Sequence, residues 1–393
     1  MSTAAKIAGA ALAAWLTACG MLSHSELDIS DAEARRYAKT RNLRAEVDSL
    51  ARPLVEQGKT PGLVVGVLLP GGRRHFFGYG VADKLSGIQP DGDTAFPIGS
   101  LSKGFLGGLA ALLVQEGVLS WDDTLATRLP NENLDPQGPG KISLRRLATH
   151  TSGLPRQPFP PRTLLYFIAY LFNGENFYRQ FDREYIFGYL RDFDPPEGNQ
   201  VVYSNIGYAL LGQALEQRTG QSVASLVHRK IIGPLKLDKT RYAFEQLPAG
   251  SVRAHGHAGD QPRFIARGAP VPDWRFNDFM NTSTGMISSA RDLLGFASAH
   301  FNDNRLGKAL RSTLKPVMNL PVRSPAVAWV VDDLAGQKIA YQVGFVAGYS
   351  SYLGLDVERQ TAVVVLQNSF NFDDQVGHRL LHRLALKKAP PAS

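Results

Sequence analysis

The sequence predicts an α+β fold, in which one antiparallel sheet is flanked by helices and accompanied by an inserted, mostly helical domain. Strand-like segments lie near both ends of the 393-residue chain, at 62–79 and 326–367. The stretch between them, about 120–285, shows helical patterns interrupted by Pro and Gly. We therefore expect residues 41–119 and 285–390 to form the α/β part and residues 120–284 to form the helical domain.

The first elements follow from residue periodicity. Apolar residues at helical spacing from Leu43 to Leu54 predict a helix that Pro53 kinks or ends. A β-type run at 62–69, a Pro-Gly-Gly turn and a returning segment at 73–79 predict a hairpin. Further helices are expected at 100–116, 204–219 and 374–386, and further strands at 326–331, 338–343, 349–356 and 361–367.

The N-terminus has the pattern of an export signal. Lys6 precedes a small, apolar stretch at 7–18 that is too short to span a bilayer. The stretch ends in Leu-Thr-Ala-Cys-Gly, which resembles a bacterial lipobox, whose cysteine becomes the lipidated first residue. We predict a lipoprotein signal peptide at 1–18, lipidation of Cys19, a tether at 19–40 and anchoring on the periplasmic side of a membrane. An ordinary signal peptide with an incidental Cys19 is the alternative.

Composition restricts the partners. The net charge of +8 is scattered, and no long basic run with interleaved aromatic residues favours nucleic-acid binding. The nine His residues and the carboxylates show no metal-ligand spacing, so we predict neither a metal nor another cofactor. Cys19 is the only cysteine, which excludes a disulfide within the chain.

The sequence around Ser100 suggests nucleophilic chemistry. Ser100 and Lys103 stand three residues apart at a predicted helix start, and such residues share one helix face. A serine hydroxyl needs a base, and lysine acts as one when burial or positive charge lowers its pKa. A chain of this length contains about one Ser-x-x-Lys by chance. The other match, Ser312 to Lys315, directly precedes Pro316 and is interpreted as the chance one.

A second pair of candidates is Tyr203 and Asn205, between a Pro/Gly-rich loop and a predicted helix. A phenol beside an ammonium group can exist as phenolate and relay protons, and an amide can donate a hydrogen bond to a substrate carbonyl. A surface tyrosine followed by a helix cap would give the same local sequence.

Together these motifs resemble serine β-lactamases and penicillin-binding proteins. The Tyr-x-Asn form is similar to the class C branch, which includes D-amino-acid peptidases and esterases. Residues 144–155 (LRRLATHTSGLP), 285–293 (GMISSARDL) and 348–352 (GYSSY) resemble further blocks of that branch in the same order. The resemblance implies a β-lactamase/transpeptidase-like fold and an acyl-enzyme hydrolase with Ser100, Lys103 and Tyr203 as catalytic residues. It also implies that His150, inside the block at 144–155, is structural.

The third motif departs from the family. The Lys-Thr-Gly or His-x-Gly of the branch falls on Gln342, Val343 and Gly344. By resemblance, Asn205, Gln342, Gly344 and Phe345 bind substrate, and the Ser100 and Phe345 N–H groups form the oxyanion hole. Because Gln342 is uncharged, a substrate carboxylate loses a charge-assisted contact. We therefore expect esters or peptidoglycan-type peptides ahead of β-lactams.

Two alternatives remain open at this level. A non-catalytic binding or scaffolding lipoprotein that keeps the fold would also explain Gln342. The aromatic region at 156–200 is longer than the family requires. It is interpreted as a packed helical pair, with an acyl pocket or a membrane contact as the alternatives.

Overall fold

The computed structural model describes residues 42–334, 336–372 and 375–386. The predicted signal peptide, Cys19 and the tether lie outside the described residues. Among the described helices, none is long and apolar enough to cross a membrane.

The core of the fold is a seven-stranded antiparallel sheet with the order β2-β1-β9-β8-β7-β6-β5. Its strands are β1 (Gly62–Leu69), β2 (Arg73–Gly80), β5 (Ser324–Pro325), β6 (Val330–Leu334), β7 (Gln337–Val346), β8 (Tyr349–Asp356) and β9 (Thr361–Gln367). A separate two-stranded ladder joins β3 (Phe96–Pro97) to β4 (Ile287–Ser288). The α+β fold with one antiparallel sheet is confirmed.

The sheet joins the early hairpin of the chain to the strands of its last part. β1 pairs with β2 in the predicted hairpin and, on its other edge, with β9. In that second ladder Leu63 stands opposite Gln367 and Leu68 opposite Ala362. The apolar side chains of β1 are buried on both faces of the sheet, because a core cluster packs against each face.

Helices cover the sheet and build the region between β3 and β4. They are α1 (Leu43–Glu56), α2 (Ser102–Gln115), α3 (Leu125–Arg128), α4 (Leu144–Ala148), α5 (Pro161–Asn173), α6 (Arg183–Arg191), α7 (Asn205–Thr219), α8 (Val223–Val227), α9 (Gly233–Leu235), α10 (Asp278–Thr284), α11 (Ala290–Ala299), α12 (Arg305–Ser312) and α13 (Val376–Leu386). The domain boundaries at 120 and 284 stay a prediction.

Successive side chains of a strand point to opposite faces of the sheet, so the buried apolar residues form two separate clusters. Val65 and Val363 belong to the cluster formed with α1 and α13. Val64 and Val364 belong to the larger cluster that includes α2, α7 and α11. The site described below lies on the α2 side, so the large core supports the helix that carries Lys103.

Local geometry differs from the sequence expectation at Pro53 and at residues 326–331. Pro53 does not end α1, which continues to Glu56. The expected strand at 326–331 begins only at Val330, because Ala328 has a positive φ and the Ala326 N–H donates to the Trp329 carbonyl. Residues 326–329 therefore form a turn against the α2 side of the sheet.

The aromatic region at 156–200 forms the predicted helical pair, α5 and α6. Its inner residues Phe167 and Tyr170 are buried, whereas Leu165 and Phe172 on the outer face of α5 are 69% and 61% exposed. The inner aromatic side chains also line a cavity, so packing and cavity formation are not exclusive alternatives.

Candidate active site

Ser100 lies in a short 3₁₀ turn, Gly99–Leu101, directly before α2. The expected α-helix therefore starts two residues after Ser100 rather than at it. The Ser102 hydroxyl fixes this turn, because it donates to the Gly99 carbonyl at 2.6 Å and accepts from the Met286 N–H at 3.1 Å. The strand β4 and the turn that presents Ser100 are thus tied together by one buried side chain.

Lys103 lies in the first turn of α2 with its side chain only 1% exposed. Its Nζ is 3.1 Å from Ser100 Oγ and donates to the Ser283 carbonyl of α10 at 3.0 Å. Burial, and next the charge of Arg156, hold the pKa of Lys103 well below that of an ordinary lysine. A lysine in this state can accept the proton of Ser100.

Tyr203 lies in the segment before α7, and its hydroxyl donates to Ser100 Oγ at 2.6 Å. Burial raises the pKa of Tyr203 to about 12, although Arg156 and the hydrogen bond to Ser100 oppose the shift. The phenolate that the sequence suggested is therefore wrong for the resting site. Tyr203 is a neutral phenol and a proton donor at ordinary pH.

His150 supports Tyr203 from behind. The two ring centroids are 4.3 Å apart, and His150 Nδ1 accepts the Ser204 N–H at 3.0 Å. Burial, with the charges of Lys103 and Arg156, lowers the pKa of His150 to about 3, so the imidazole is neutral. This placement is that of a positioning residue for Tyr203.

Asn205 begins α7, and its Nδ2 donates to the Tyr178 hydroxyl at 3.0 Å. The Tyr178 hydroxyl in turn lies 3.2 Å from Gln157 Oε1. Among the described residues, the buried Asn205 Oδ1 has no hydrogen-bond partner. The amide group therefore keeps an acceptor and the second N–H of Nδ2 without a partner among the described residues.

Strand β7 passes close to the 3₁₀ turn that holds Ser100. A Cβ at Gly344 would lie 2.2 Å from the Ile98 carbonyl oxygen and 3.1 Å from the Ser100 nitrogen. A Cβ at Gly99 would lie 3.0 Å from the Phe345 nitrogen. Both glycines are thus required by contact between two protein segments, which brings the Ser100 and Phe345 backbones together.

Gln342 extends from β7 toward α2 and is buried. A Cβ at Gly104 would be 2.4 Å from its Nε2, so the side chain fills the space that this glycine leaves. Neither amide atom has a hydrogen-bond partner within the described part of the chain. Both polar atoms therefore remain available to a ligand.

Ser100, Lys103, Tyr203 and Gln342 line a cavity of about 730 Å³, a volume that includes space open to solvent. Arg323, just before β5, also lines it, and within the described residues its buried Nη2 has no hydrogen-bond partner. The uncharged third motif therefore shares its cavity with a guanidinium group.

Sequence reasoning missed Arg156 and Arg323, whereas Tyr178 belongs to the aromatic region at 156–200, for which an acyl pocket is one of the alternatives. Arg156 places its guanidinium carbon 5.1 Å from the centre of the Tyr203 ring, and it directly follows the block at 144–155. Proximity to that block is the only sequence signal for it, whereas Arg323 reaches the site through tertiary contacts alone. Within the described ranges, no group of three or more His, Cys, Asp or Glu is placed to hold a metal.

Comparison with known proteins agrees with this architecture. The Beta-lactamase family model matches residues 47–387. A beta-lactamase of Psychrobacter immobilis is 26% identical over 313 residues, which are 78% of this chain and 70% of that protein. Protein flp of Staphylococcus aureus strain MW2 is 24% identical over 335 residues, 84% of this chain and 64% of that protein.

Solved structures show the same fold. A class C beta lactamase from Rhodobacter sphaeroides superposes with a TM-score of 0.72 at 24% identity and covers 87% of this chain and 99% of its own. A beta-lactamase/D-alanine carboxypeptidase from Pseudomonas syringae has a TM-score of 0.72 at 21% identity, with 88% and 99% covered. Because the family model extends over most of the sequence, this chain belongs to the beta-lactamase family of hydrolases.

Proposed function

We propose that this protein hydrolyses ester or amide bonds through an acyl-enzyme on Ser100. The observation that carries the proposal is the convergence on Ser100 Oγ of a buried lysine at 3.1 Å and a tyrosine hydroxyl at 2.6 Å. The first group has a lowered pKa and the second a raised one. One base and one acid therefore face the same nucleophile.

In the acylation step, Ser100 Oγ attacks the substrate carbonyl carbon while its proton moves to Lys103 Nζ. The carbonyl oxygen becomes an oxyanion, which the Ser100 and Phe345 N–H groups are proposed to hold. The tetrahedral species collapses when the bond to the leaving group breaks. The alcohol or amine leaves with the proton of Tyr203, and the proton on Lys103 returns to Tyr203.

Deacylation repeats the sequence with water. The water attacks the acyl carbon, gives one proton to the Lys103–Tyr203 pair, and forms the acid product as the bond to Ser100 Oγ breaks. Ser100 Oγ recovers its proton from the same pair, so the site returns to its starting state.

Esters come first among the proposed substrates and peptidoglycan-type peptides second. Gln342 places no charge beside Lys103, which suits a neutral leaving group. Arg323 adds one cation to the same cavity, so a leaving group with a carboxylate is not excluded, although the charged contact at position 342 is still missing. The name of the Pseudomonas syringae structure, a beta-lactamase/D-alanine carboxypeptidase, also supports the peptide candidate.

Labelling with a serine-reactive fluorophosphonate tests the proposal. Wild type should be labelled, and Ser100→Ala should not. Ser312→Ala is the matched control, because Ser312 belongs to the other Ser-x-x-Lys but ends α12, where its hydroxyl donates to the Ala309 carbonyl. Absence of labelling in folded wild type would favour the non-catalytic binding protein instead.

We also propose that the protein is exported and held at a membrane through lipidated Cys19, on the strength of the lipobox-like sequence alone. A multiply acylated N-terminus anchors far more firmly than a single chain. Cys19→Ser should therefore move the protein from the membrane fraction to the soluble fraction. Equal membrane retention of variant and wild type would contradict the anchor.

A further inference from the structure

The outer face of α5 carries an apolar ridge that stays exposed in the described part of the chain. Leu165, Ile168 and Phe172 recur at helical spacing on this face, and they are 69%, 43% and 61% exposed. Phe264, from the segment between α9 and α10, stacks on Phe172 with ring centroids 4.5 Å apart and is itself 60% exposed. We name these four side chains the α5 ridge.

The opposite face of α5 fixes the orientation of the ridge. Phe167 and Tyr170 are buried there in the large core, and the Tyr170 ring meets Trp274 at 5.4 Å. On the outer side, the Phe264 N–H donates to the Leu171 carbonyl at 2.9 Å. A rotation of α5 that buried the ridge would expose Phe167 and Tyr170, so the fold itself keeps the ridge in contact with solvent.

Arginine side chains flank the ridge. Arg162 lies in the first turn of α5 and Arg263 directly precedes Phe264; both are exposed, and neither forms an ion pair with a described residue. The guanidinium groups of Arg162 and Arg179 stand 5.6 and 5.0 Å from the centre of the Tyr166 ring, at the start of the same helix. The helix itself contains no acidic residue.

The acidic side chains of this surface already have partners. Glu175 pairs with Arg179 at 3.4 Å, and Asp260 pairs with Arg267. Asp182 caps α6 by accepting a backbone N–H at 2.8 Å. The α5 ridge is therefore apolar at its centre and positive at its margin, which is the pattern of a surface that lies on anionic lipid headgroups.

The size of the ridge favours a bilayer over a second copy of the chain. Four large apolar side chains at these exposures offer roughly 400 Å² in total, whereas a stable interface takes about 800 Å² from each partner. A bilayer needs no complementary surface, because binding strength grows with the apolar area that enters it and with attraction to anionic lipid. Cys19 lies 23 residues before Asn42, where the described chain begins, so an extended connection reaches at most about 80 Å.

We propose that the α5 ridge docks on the surface of a membrane that contains anionic lipids and holds the folded domain against it. This inference goes beyond the acyl-enzyme function and does not depend on it. The buried side of α5 packs on Phe177, whose neighbour Tyr178 is hydrogen-bonded to Asn205, so the docked helix stands close to the catalytic residues.

Vesicle co-sedimentation tests the docking in the chain from residue 20 onward, which contains every described element but lacks the predicted signal peptide and Cys19. This chain should bind vesicles of phosphatidylglycerol and phosphatidylcholine in equal parts at least about fivefold more tightly than vesicles of phosphatidylcholine alone. Phe172→Asp and Leu165→Asp should each lower the partition coefficient on the anionic vesicles at least about tenfold. Leu85→Asp is the matched control, since it makes the same change of charge at an apolar side chain that is 98% exposed outside the ridge.

Thermal unfolding followed by circular dichroism shows whether each variant keeps the fold, and two ridge variants allow for one that does not. No binding to the anionic vesicles, equal binding to both kinds of vesicle, or an equal loss of binding in Leu85→Asp would overturn the proposal. Sedimentation velocity without vesicles should find a monomer, and a dimer that dissociates in Phe172→Asp would assign the ridge to a second copy instead. Because Cys19 is absent from this chain, the outcome is independent of the lipid anchor.

Discussion

Replacement of Tyr203 by Phe removes one hydroxyl and retains the ring that packs at the site. The ring lies against His150 at 4.3 Å, and Lys103 Nζ and the Arg156 guanidinium stand 5.2 and 5.1 Å from its centre. All of these contacts survive in Tyr203→Phe. The lost interaction is the 2.6 Å donation to Ser100 Oγ, so the variant isolates the proton donor.

The expected loss of kcat/KM in Tyr203→Phe depends on the role of the hydroxyl group. As a hydrogen bond alone, the hydroxyl is worth about 0.5–1.5 kcal/mol, or roughly a tenfold effect. As a general acid it should contribute about 10²–10⁴-fold, equivalent to about 2.7–5.4 kcal/mol of barrier. We expect the larger figure for substrates whose leaving group must be protonated, and the smaller figure for p-nitrophenyl esters.

The assay measures kcat/KM of wild type and variant on a p-nitrophenyl ester and on the matching anilide. Tyr208→Phe is the control, because Tyr208 is an equally buried tyrosine near His150 whose hydroxyl donates to the Ala148 carbonyl at 2.5 Å. In Tyr203→Phe, kcat/KM should fall at least about tenfold more for the anilide than for the ester. Tyr208→Phe should show no such difference between the two substrates. Equal losses on both substrates would refute the assignment of Tyr203 as the acid.

Three further predictions concern charge and packing. The base must be neutral, so kcat/KM should rise with pH through the lowered pKa of Lys103. It should then stay constant until Tyr203 ionises near pH 12. A rise only near the ordinary lysine pKa of about 10.4 would contradict this. Gln342→Lys should raise kcat/KM for carboxylate-bearing substrates about ten- to a hundredfold and leave kcat/KM for neutral esters little changed. Steady-state kinetics on a penicillin and on p-nitrophenyl butyrate measures both effects. If kcat/KM changes for neither substrate, our interpretation of the third motif is wrong. Gly344→Ala should lower the free energy of unfolding by about 1–3 kcal/mol in a denaturant titration. Gly188→Ala is the control and should not lower it, because a Cβ there has no neighbour within 4 Å. Unfolding curves that coincide for the two variants would refute the contact at Gly344.

Much of the frame could be predicted from local sequence because its strands are regular. The bounds of β8 and β9 are those expected from periodicity, and both strands are buried along their whole length. The start of α2 could not be predicted, since the 3₁₀ turn at Ser100 depends on the long-range bond between Ser102 and Met286. Periodicity contains no information about such a contact.

The candidate site also has features that the sequence could predict and features that it could not. Ser100, Lys103 and Tyr203 could be proposed because short motifs place them, and the structure brings them within hydrogen-bond distance. The protonation state of Tyr203 could not be predicted, because it depends on complete burial and on Arg156 from another segment. The guanidinium of Arg323 is brought into the cavity by the edge of the sheet, which no local pattern specifies.

The acyl-enzyme on Ser100 is tested most directly by mass spectrometry of the protein quenched in acid during turnover of p-nitrophenyl phenylacetate. The account predicts one phenylacetyl group per chain, located by peptide mapping on Ser100 and absent from Ser100→Ala. An adduct on another residue, or turnover with no adduct and no burst of p-nitrophenol, would contradict it.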